Sequence, residues 1–336
     1  MIPPIYSPWE SGVWQQQLQD AYRDVRTLLA DLELDGSSAA VAASDQQAFS
    51  MLVPRAFAAR MQRGDACDPL LRQVLPTQAE DDQVEGFVAD PLRETDTFSQ
   101  VPALVHKYHG RALLIAAPEC AVHCRYCFRR AFPYQEHRPK HLDAALAAVQ
   151  ADPSIRELIL SGGDPLLMSD QAWSSLLQKI DRIAHVIRLR IHTRMPIVLP
   201  SRITEEWLAP IMESRLPVTV VIHCNHVNEL DADTERAVST LRARGVHVLN
   251  QAVLLRGVND TCAAQVALCE GLFAQGVLPY YLHLPDQVAG TAHFYVDTAC
   301  GTELHEQMRR VLPGYLLPKL VREVPGEPAK QILSIS

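Results

Sequence analysis

Residues Glu119–Arg130 read ECAVHCRYCFRR. Cys120, Cys124 and Cys127 stand at C-x3-C-x2-C, with two arginines close behind and no fourth cysteine nearby. A structural zinc site takes four protein ligands, commonly as two C-x2-C pairs, so zinc here needs His109 or His123 to complete a tetrahedron. Ferredoxin-type spacing differs in count and interval. A [4Fe–4S] cluster held by three thiolates instead leaves one iron open to an outside ligand. On that reading the missing fourth cysteine is the functional feature.

The surrounding pattern supplies a scaffold. A β-type run, ALLIA from Ala112, precedes the cysteines. Five more come after them: ELILS from Glu157, VIRLRIH from Val186, VTVVIH from Val218, VHVLNQAVL from Val246 and LPYYLHL from Leu278. Amphipathic, helix-length segments near 141–151, 170–184, 203–214, 232–244 and 262–276 alternate with them, which implies parallel βα units with right-handed crossovers. Nearly every run ends in chemically active residues: the cysteine loop, SGGDP, HTR, HCNH, NQ and HLPD. A β/α barrel gathers its site from many strand ends, whereas a doubly wound sheet concentrates its ligand at one switch point. The expected fold is therefore α/β, a partial (β/α)6 barrel over 106–300. An N-terminal helical region over 1–105 precedes it, where WQQQLQDAYRDVRTLLADLEL has helical spacing and prolines punctuate the residues from 54 to 102. A short C-terminal extension, 301–336, completes the chain.

Composition excludes several classes. The 336 residues are 48% hydrophobic and 21% charged, an ordinary globular balance. A net charge of -8 gives no footprint for nucleic acid or an anionic membrane. MIPPIYSPWESGVW lacks a basic segment followed by an apolar one, and no apolar run reaches the roughly 18 residues that span a bilayer. The expected location is cytoplasmic. Cys67, Cys224, Cys262, Cys269 and Cys300 lie outside the cluster and are expected to be buried small hydrophobes.

C-x3-C-x2-C with an aromatic residue, Tyr126, before its last cysteine resembles the signature of radical S-adenosylmethionine (SAM) enzymes. That resemblance implies a cluster whose open iron binds SAM, in a loop after the first barrel strand. Ser161, Gly162, Gly163 and Asp164 in SGGDPL, a bare tight turn when taken alone, look like the segment that meets the SAM amino group. His223 and Gln251 match SAM-contacting positions on later strands.

The remaining motifs are more specific. DPLLRQVLPT, VHKYHGRALLIA, HTRMPIVLP, NHVNEL, NQAVLLRGVND and PYYLHLPDQVAGTAHF occur in the order seen in lysine 2,3-aminomutases, a likeness running from Asp68 to Lys330. The short C-terminus resembles the members that make β-lysine for modification of elongation factor P. The resemblance implies pyridoxal phosphate (PLP) as a further cofactor, with Lys330 in PGEPAK as its Schiff-base lysine. It places Lys107, Tyr108 and Arg111 near PLP, Arg129 on the substrate carboxylate, and Asp286 and Glu323 on the remote ammonium of L-lysine. Glu323 stands where the family has a shorter aspartate, and PGEPAK is less glycine-rich than the family loop. No zinc is expected, because the C-terminal cysteines of longer aminomutases have no counterpart in QILSIS. Expected partners are a β-lysine ligase of the elongation factor P pathway, an electron donor such as flavodoxin, and a second copy in a homo-oligomer. The rival readings are another radical SAM aminomutase, a PLP-independent radical SAM enzyme and a non-catalytic iron–sulfur adaptor.

Overall fold

The computed structural model describes residues 13–35, 49–95, 98–137 and 139–333. The first twelve residues of the stretch read for a leader, and the last three of QILSIS, lie outside the described residues.

The run expected as one N-terminal helix is two, α1 (Trp14–Gln19) and α2 (Val25–Asp31). The break has a local cause. Tyr22 and Val53 exchange backbone hydrogen bonds of 2.8 and 3.0 Å, and Asp24 caps α2 by accepting from the Thr27 amide, which fixes an extended residue between them. Two four-residue helices come next, α3 (Arg55–Ala58) and α4 (Pro69–Arg72), the latter with Asp68 as its cap.

One nine-stranded sheet organises the rest: β1 (Leu104–Tyr108), β2 (Arg111–Ala117), β3 (Glu157–Gly162), β4 (Arg188–Thr193), β5 (Val218–His223), β6 (His247–Val253), β7 (Leu278–His283), β8 (Lys319–Arg322) and β9 (Gln331–Ile332). Its spatial order is the chain order. Strands β2 to β8 are parallel, and β1 and β9 close the two edges antiparallel. A sheet that never reverses its strand order has no switch point, so its site must lie across many strand ends. The six expected strands are β2 to β7, and they form the open partial barrel. The three unforeseen strands are short or polar. β1, LVHKY, is joined to β2 through the two-residue turn His109–Gly110, with Gly110 at φ +77°.

The crossover helices are α5 (Leu142–Ala151), α6 (Asp170–Asp181), a short α7 (Met195–Val198), α8 (Glu205–Glu213), α9 (Ala232–Ala243), α10 (Cys262–Ala274) and α11 (Thr298–Val311). They cover one face of the sheet. Leu189 and Ile191 of β4, Val220 and Ile222 of β5, and Leu176 and Ile180 of α6 are buried in this layer, each fully buried side chain contributing about 1.5–3 kcal/mol. Trp173 of α6 stacks on Trp207 of α8 at 5.4 Å and donates from Nε1 to the Trp207 carbonyl at 3.0 Å.

The period of two along each strand turns the alternate side chains to the opposite face. There stand Glu157, Ile159 and Ser161 of β3, Arg190 and His192 of β4, and Gln251 and Val253 of β6. A packed barrel fills such positions with branched apolar residues. This one leaves a cavity of about 520 Å³.

Candidate active site

The cysteine loop is held by two buried devices. Glu80 lies between Arg125 and Arg130, accepting from Arg125 Nε at 2.8 Å and pairing with Arg130 Nη2 at 2.6 Å. Arg130 also donates to the Gly290 carbonyl at 2.8 Å. At the loop's start, the amides of Gly163 and Asp164 donate to the carbonyls of Ala117 and Glu119 at 2.8 and 2.7 Å. A Cβ at Gly163 would stand 2.0 Å from the Glu119 oxygen, so glycine is a packing requirement there. The Asp164 carboxylate accepts from Thr193 Oγ1 at 2.7 Å and from the Arg194 amide at 2.8 Å, joining the ends of β3 and β4. Burial raises it to about 6.

Cys120, Cys124 and Cys127 all face the cavity, and none forms a disulfide. Burial pushes the Cys127 thiol up to about 11, with the Cys124 sulfur beside it adding to the rise. Cys120 is likewise raised well above the usual thiol range, by burial and then by Cys127. His123, which could have joined them on a metal, hydrogen-bonds the Ser50 carbonyl at 2.9 Å and stacks on Phe49.

A chain of alternating charges crosses the far side of the cavity. Glu94 takes Arg129 in a fork, with Nε at 2.6 Å and Nη2 at 3.1 Å. Glu94 also pairs with Lys107 at 2.8 Å. Lys107 reaches Glu323 at 2.6 Å, and Glu323 in turn pairs with Lys330. Burial pushes Glu323 up, but Lys330 and Lys107 outweigh it and hold the carboxyl far below the usual range. Asp286 lies in the same wall. Burial raises it to about 7, and the charge of Glu323 adds to the rise. Burial, with Lys330 nearby, lowers His283 to about 3, so its imidazole is neutral. Tyr108 bonds Glu323, and Arg111 stacks on the Tyr108 ring at 4.6 Å.

Every residue nominated from the sequence, from Lys107 to Lys330, lines this one cavity. Residues 114–268 match the profile of the radical SAM superfamily. Over 325 residues the chain is 45% identical to the L-lysine 2,3-aminomutase of Escherichia coli K12, covering 96% of this chain and 94% of that one. The chain belongs to the lysine 2,3-aminomutase family. The Haemophilus influenzae member is 41% identical over 96% of both chains. That of Clostridium subterminale is 34% identical over 93% of this chain and 76% of its own longer one.

The donor set fits the groups that the lysine 2,3-aminomutase resemblance implied. Burial and neighbouring sulfurs push the Cys120 and Cys127 thiols up, and a cationic iron cluster held by these two and Cys124 would relieve that cost by stabilising thiolates. Lys107, Arg111, Arg129, Arg190, Arg194 and Lys330 outnumber Glu94, Glu157, Asp164, Asp286 and Glu323 around the cavity, a balance suited to a phosphate-bearing cofactor. Nε2 of His192 and Nε of Arg194 are buried without a hydrogen-bond partner, in walls of the same cavity. Such groups await a polar ligand.

Sequence reasoning missed several of this aminomutase's cavity residues. Glu94 sat in a proline-punctuated stretch with no local signal. Arg190 and His192 were legible in principle, since alternation along β4 puts them on the face opposite Leu189 and Ile191. Tyr126 does more than precede a cysteine, because its hydroxyl meets His223 Nε2 at 2.8 Å. One expectation is corrected: Cys224 and Cys269 are buried, but Cys67 and Cys300 are exposed and Cys262 is half-buried. Cys262 and Cys300 stand in the first turns of helices α10 and α11, where residues near a helix start meet water.

Proposed function

We propose that the protein is a radical SAM, PLP-dependent 2,3-aminomutase, an isomerase that converts L-α-lysine to β-lysine. The observation that carries this reading is the opening of the cysteine triplet and Lys330, distant in sequence, onto one cavity with charges of both signs between them.

When bound, the cluster with SAM would supply hydrogen-abstracting chemistry, and PLP would supply a delocalising system for the 2,3-shift of nitrogen. Cys120, Cys124 and Cys127 hold the cluster. Ser161 to Asp164, His223 and Gln251 line the SAM side. Lys330 is the PLP lysine, with Lys107, Tyr108 and Arg111 toward the phosphate. Arg129, whose fork is already set by Glu94, orients the substrate carboxylate. Asp286 and Glu323 take the remote ammonium, which needs acidic partners in a buried site. Neutral His223 and His283, both depressed by burial, present no cation to repel that ammonium.

The finer parts rest on the resemblance of the short chain to the elongation factor P branch. They are a cytoplasmic protein, a ligase that consumes β-lysine for elongation factor P, a flavodoxin-class electron donor and a homo-oligomer. No helix among the described residues is long and apolar enough to cross a membrane.

The test is turnover of isotopically labelled L-lysine by anaerobically reconstituted protein with SAM, PLP and a reductant, read by chiral mass spectrometry. β-Lysine that vanishes in Lys330→Ala supports the reading. Deoxyadenosine without β-lysine points to another substrate, and neither product from a cluster-loaded protein defeats the enzymatic reading.

A further inference from the structure

Arg194 follows β4 in the HTR segment, and nothing in the proposed reaction uses it. Its Nη1 donates to Cys124 Sγ at 2.8 Å. Its Nη2 donates to Gln73 Oε1 at 2.7 Å and to Glu229 Oε2 at 2.9 Å. The side chain cannot drift. Its own amide is bonded to Asp164, Gln73 receives Asn225 Nδ2 at 3.0 Å, and Glu229 Oε1 accepts the amides of Asn225 and His226 at 2.9 and 3.0 Å. Gln73, Asn225 and Glu229 are completely buried and Arg194 is 6% exposed.

We propose that Arg194 sets the reduction potential of the iron–sulfur group carried by Cys124, with Glu229 as the opposing charge. The proposal rests on the reading of Cys120, Cys124 and Cys127 as cluster ligands. One-electron reduction makes a thiolate-bound cluster more negative. A fixed cation donating to one ligand sulfur stabilises that form and raises the potential. In a site from which water is excluded the field is weakly screened. Glu229 lies one guanidinium further out, so it subtracts from the same field. The two residues therefore have opposite signs of effect, which a purely structural role for the cluster of polar groups does not produce. The guanidinium donates directly to Cys124, so the effect enters the iron–sulfur group at that sulfur.

The experiment uses the full chain, reconstituted anaerobically as wild type, Arg194→Gln, Arg194→Lys and Glu229→Gln. Iron and sulfide content is measured first, and the midpoint potential is then read by a redox titration followed by electron paramagnetic resonance. Arg194→Gln should shift the midpoint negative by about 59 mV or more, a tenfold change in the reduced-to-oxidised ratio at fixed potential. Glu229→Gln should shift it positive, and Arg194→Lys, which keeps the charge, should stay nearer wild type than Arg194→Gln. Loaded Arg194→Gln and Arg194→Lys proteins that share the wild-type midpoint overturn the proposal, whatever Glu229→Gln does. A wild-type protein that takes up no cluster overturns the cysteine reading and the proposal together, and iron content separates that case from the first.

Discussion

Replacing Gly163 by alanine tests whether the end of β3 holds the cysteine loop in place. The added Cβ would stand 2.0 Å from the Glu119 carbonyl oxygen, 2.5 Å from its carbon and 2.9 Å from its nitrogen. All three are backbone atoms, so no rotamer change relieves the clash. The Glu119 peptide must retreat by about 1 Å to reach even a tight contact, and Cys120 is the next residue. Overpacking of this kind costs about 1–3 kcal/mol. The same movement breaks the 2.7 Å bond from the Asp164 amide to Glu119, adding about 1 kcal/mol. The expected loss is therefore about 2–4 kcal/mol of unfolding free energy. A displacement of about 1 Å in a positioned group can cost on the order of 100-fold in rate, so SAM cleavage should fall more steeply than stability. Gly245→Ala is the control. Gly245 has φ +75° but open space around its Cβ, so it should lose only about 1–2 kcal/mol of left-handed strain and keep its iron. Urea unfolding and iron content after reconstitution measure both. A Gly163→Ala protein within about 0.5 kcal/mol of wild type, with full iron, would refute this account of the glycine.

Four further outcomes follow from the charges. Burial raises Asp286 to about 7, above the usual value of about 3.9, so the folded cofactor-free chain keeps a proton that the unfolded chain releases. Its stabilisation is full below the unfolded pKa and is lost as pH rises through about 7. Asp286→Asn should thus stabilise the cofactor-free protein at pH 8, by on the order of 4 kcal/mol, and leave it unchanged near pH 4; calorimetry at the two pH values decides. Wild-type affinity for lysine should also rise with pH through 7, since an ammonium needs the ionised carboxylate, and Asp286→Asn should flatten that rise in a binding titration. Glu94→Gln strands Arg129 and Lys107 without their shared buried partner, so denaturant unfolding should show a loss of about 3–5 kcal/mol and turnover a higher KM for lysine. Glu80→Gln removes the carboxylate between Arg125 and Arg130; a similar loss with reduced iron loading is expected, and full loading would show that the cysteine loop holds itself.

Local signals carried most of the scaffold. The six parallel strands and five crossover helices were legible because each buries a patterned face, and a period of two or 3.6 is written in a short window. The cysteine triplet and the glycine pair were legible as strings, and family likeness named Lys330, Arg129 and Asp286 by position. β8 and β9 were not legible: four and two residues respectively give a pattern too short to read. Nor was the division of the N-terminal helix at Tyr22, which depends on a backbone partner at Val53.

By itself, then, the sequence determined which segments become the six central strands and nominated most of the side chains that line the cavity, since both depend on residue identity and near-neighbour spacing. Only the tertiary structure decided how those side chains are paired. Lys107 and Lys330 lie on either side of Glu323, Glu94 grips Arg129, and Arg194 leans on Cys124 while bound to Glu229. Glu94 and Arg129 stand 35 positions apart and Lys107 and Glu323 stand 216 apart, and such contacts exist only once the sheet has brought its strand ends together. Their strength also depends on burial, because the same ion pairs in water would be worth about 0–1 kcal/mol and would neither shift a carboxyl nor orient a guanidinium.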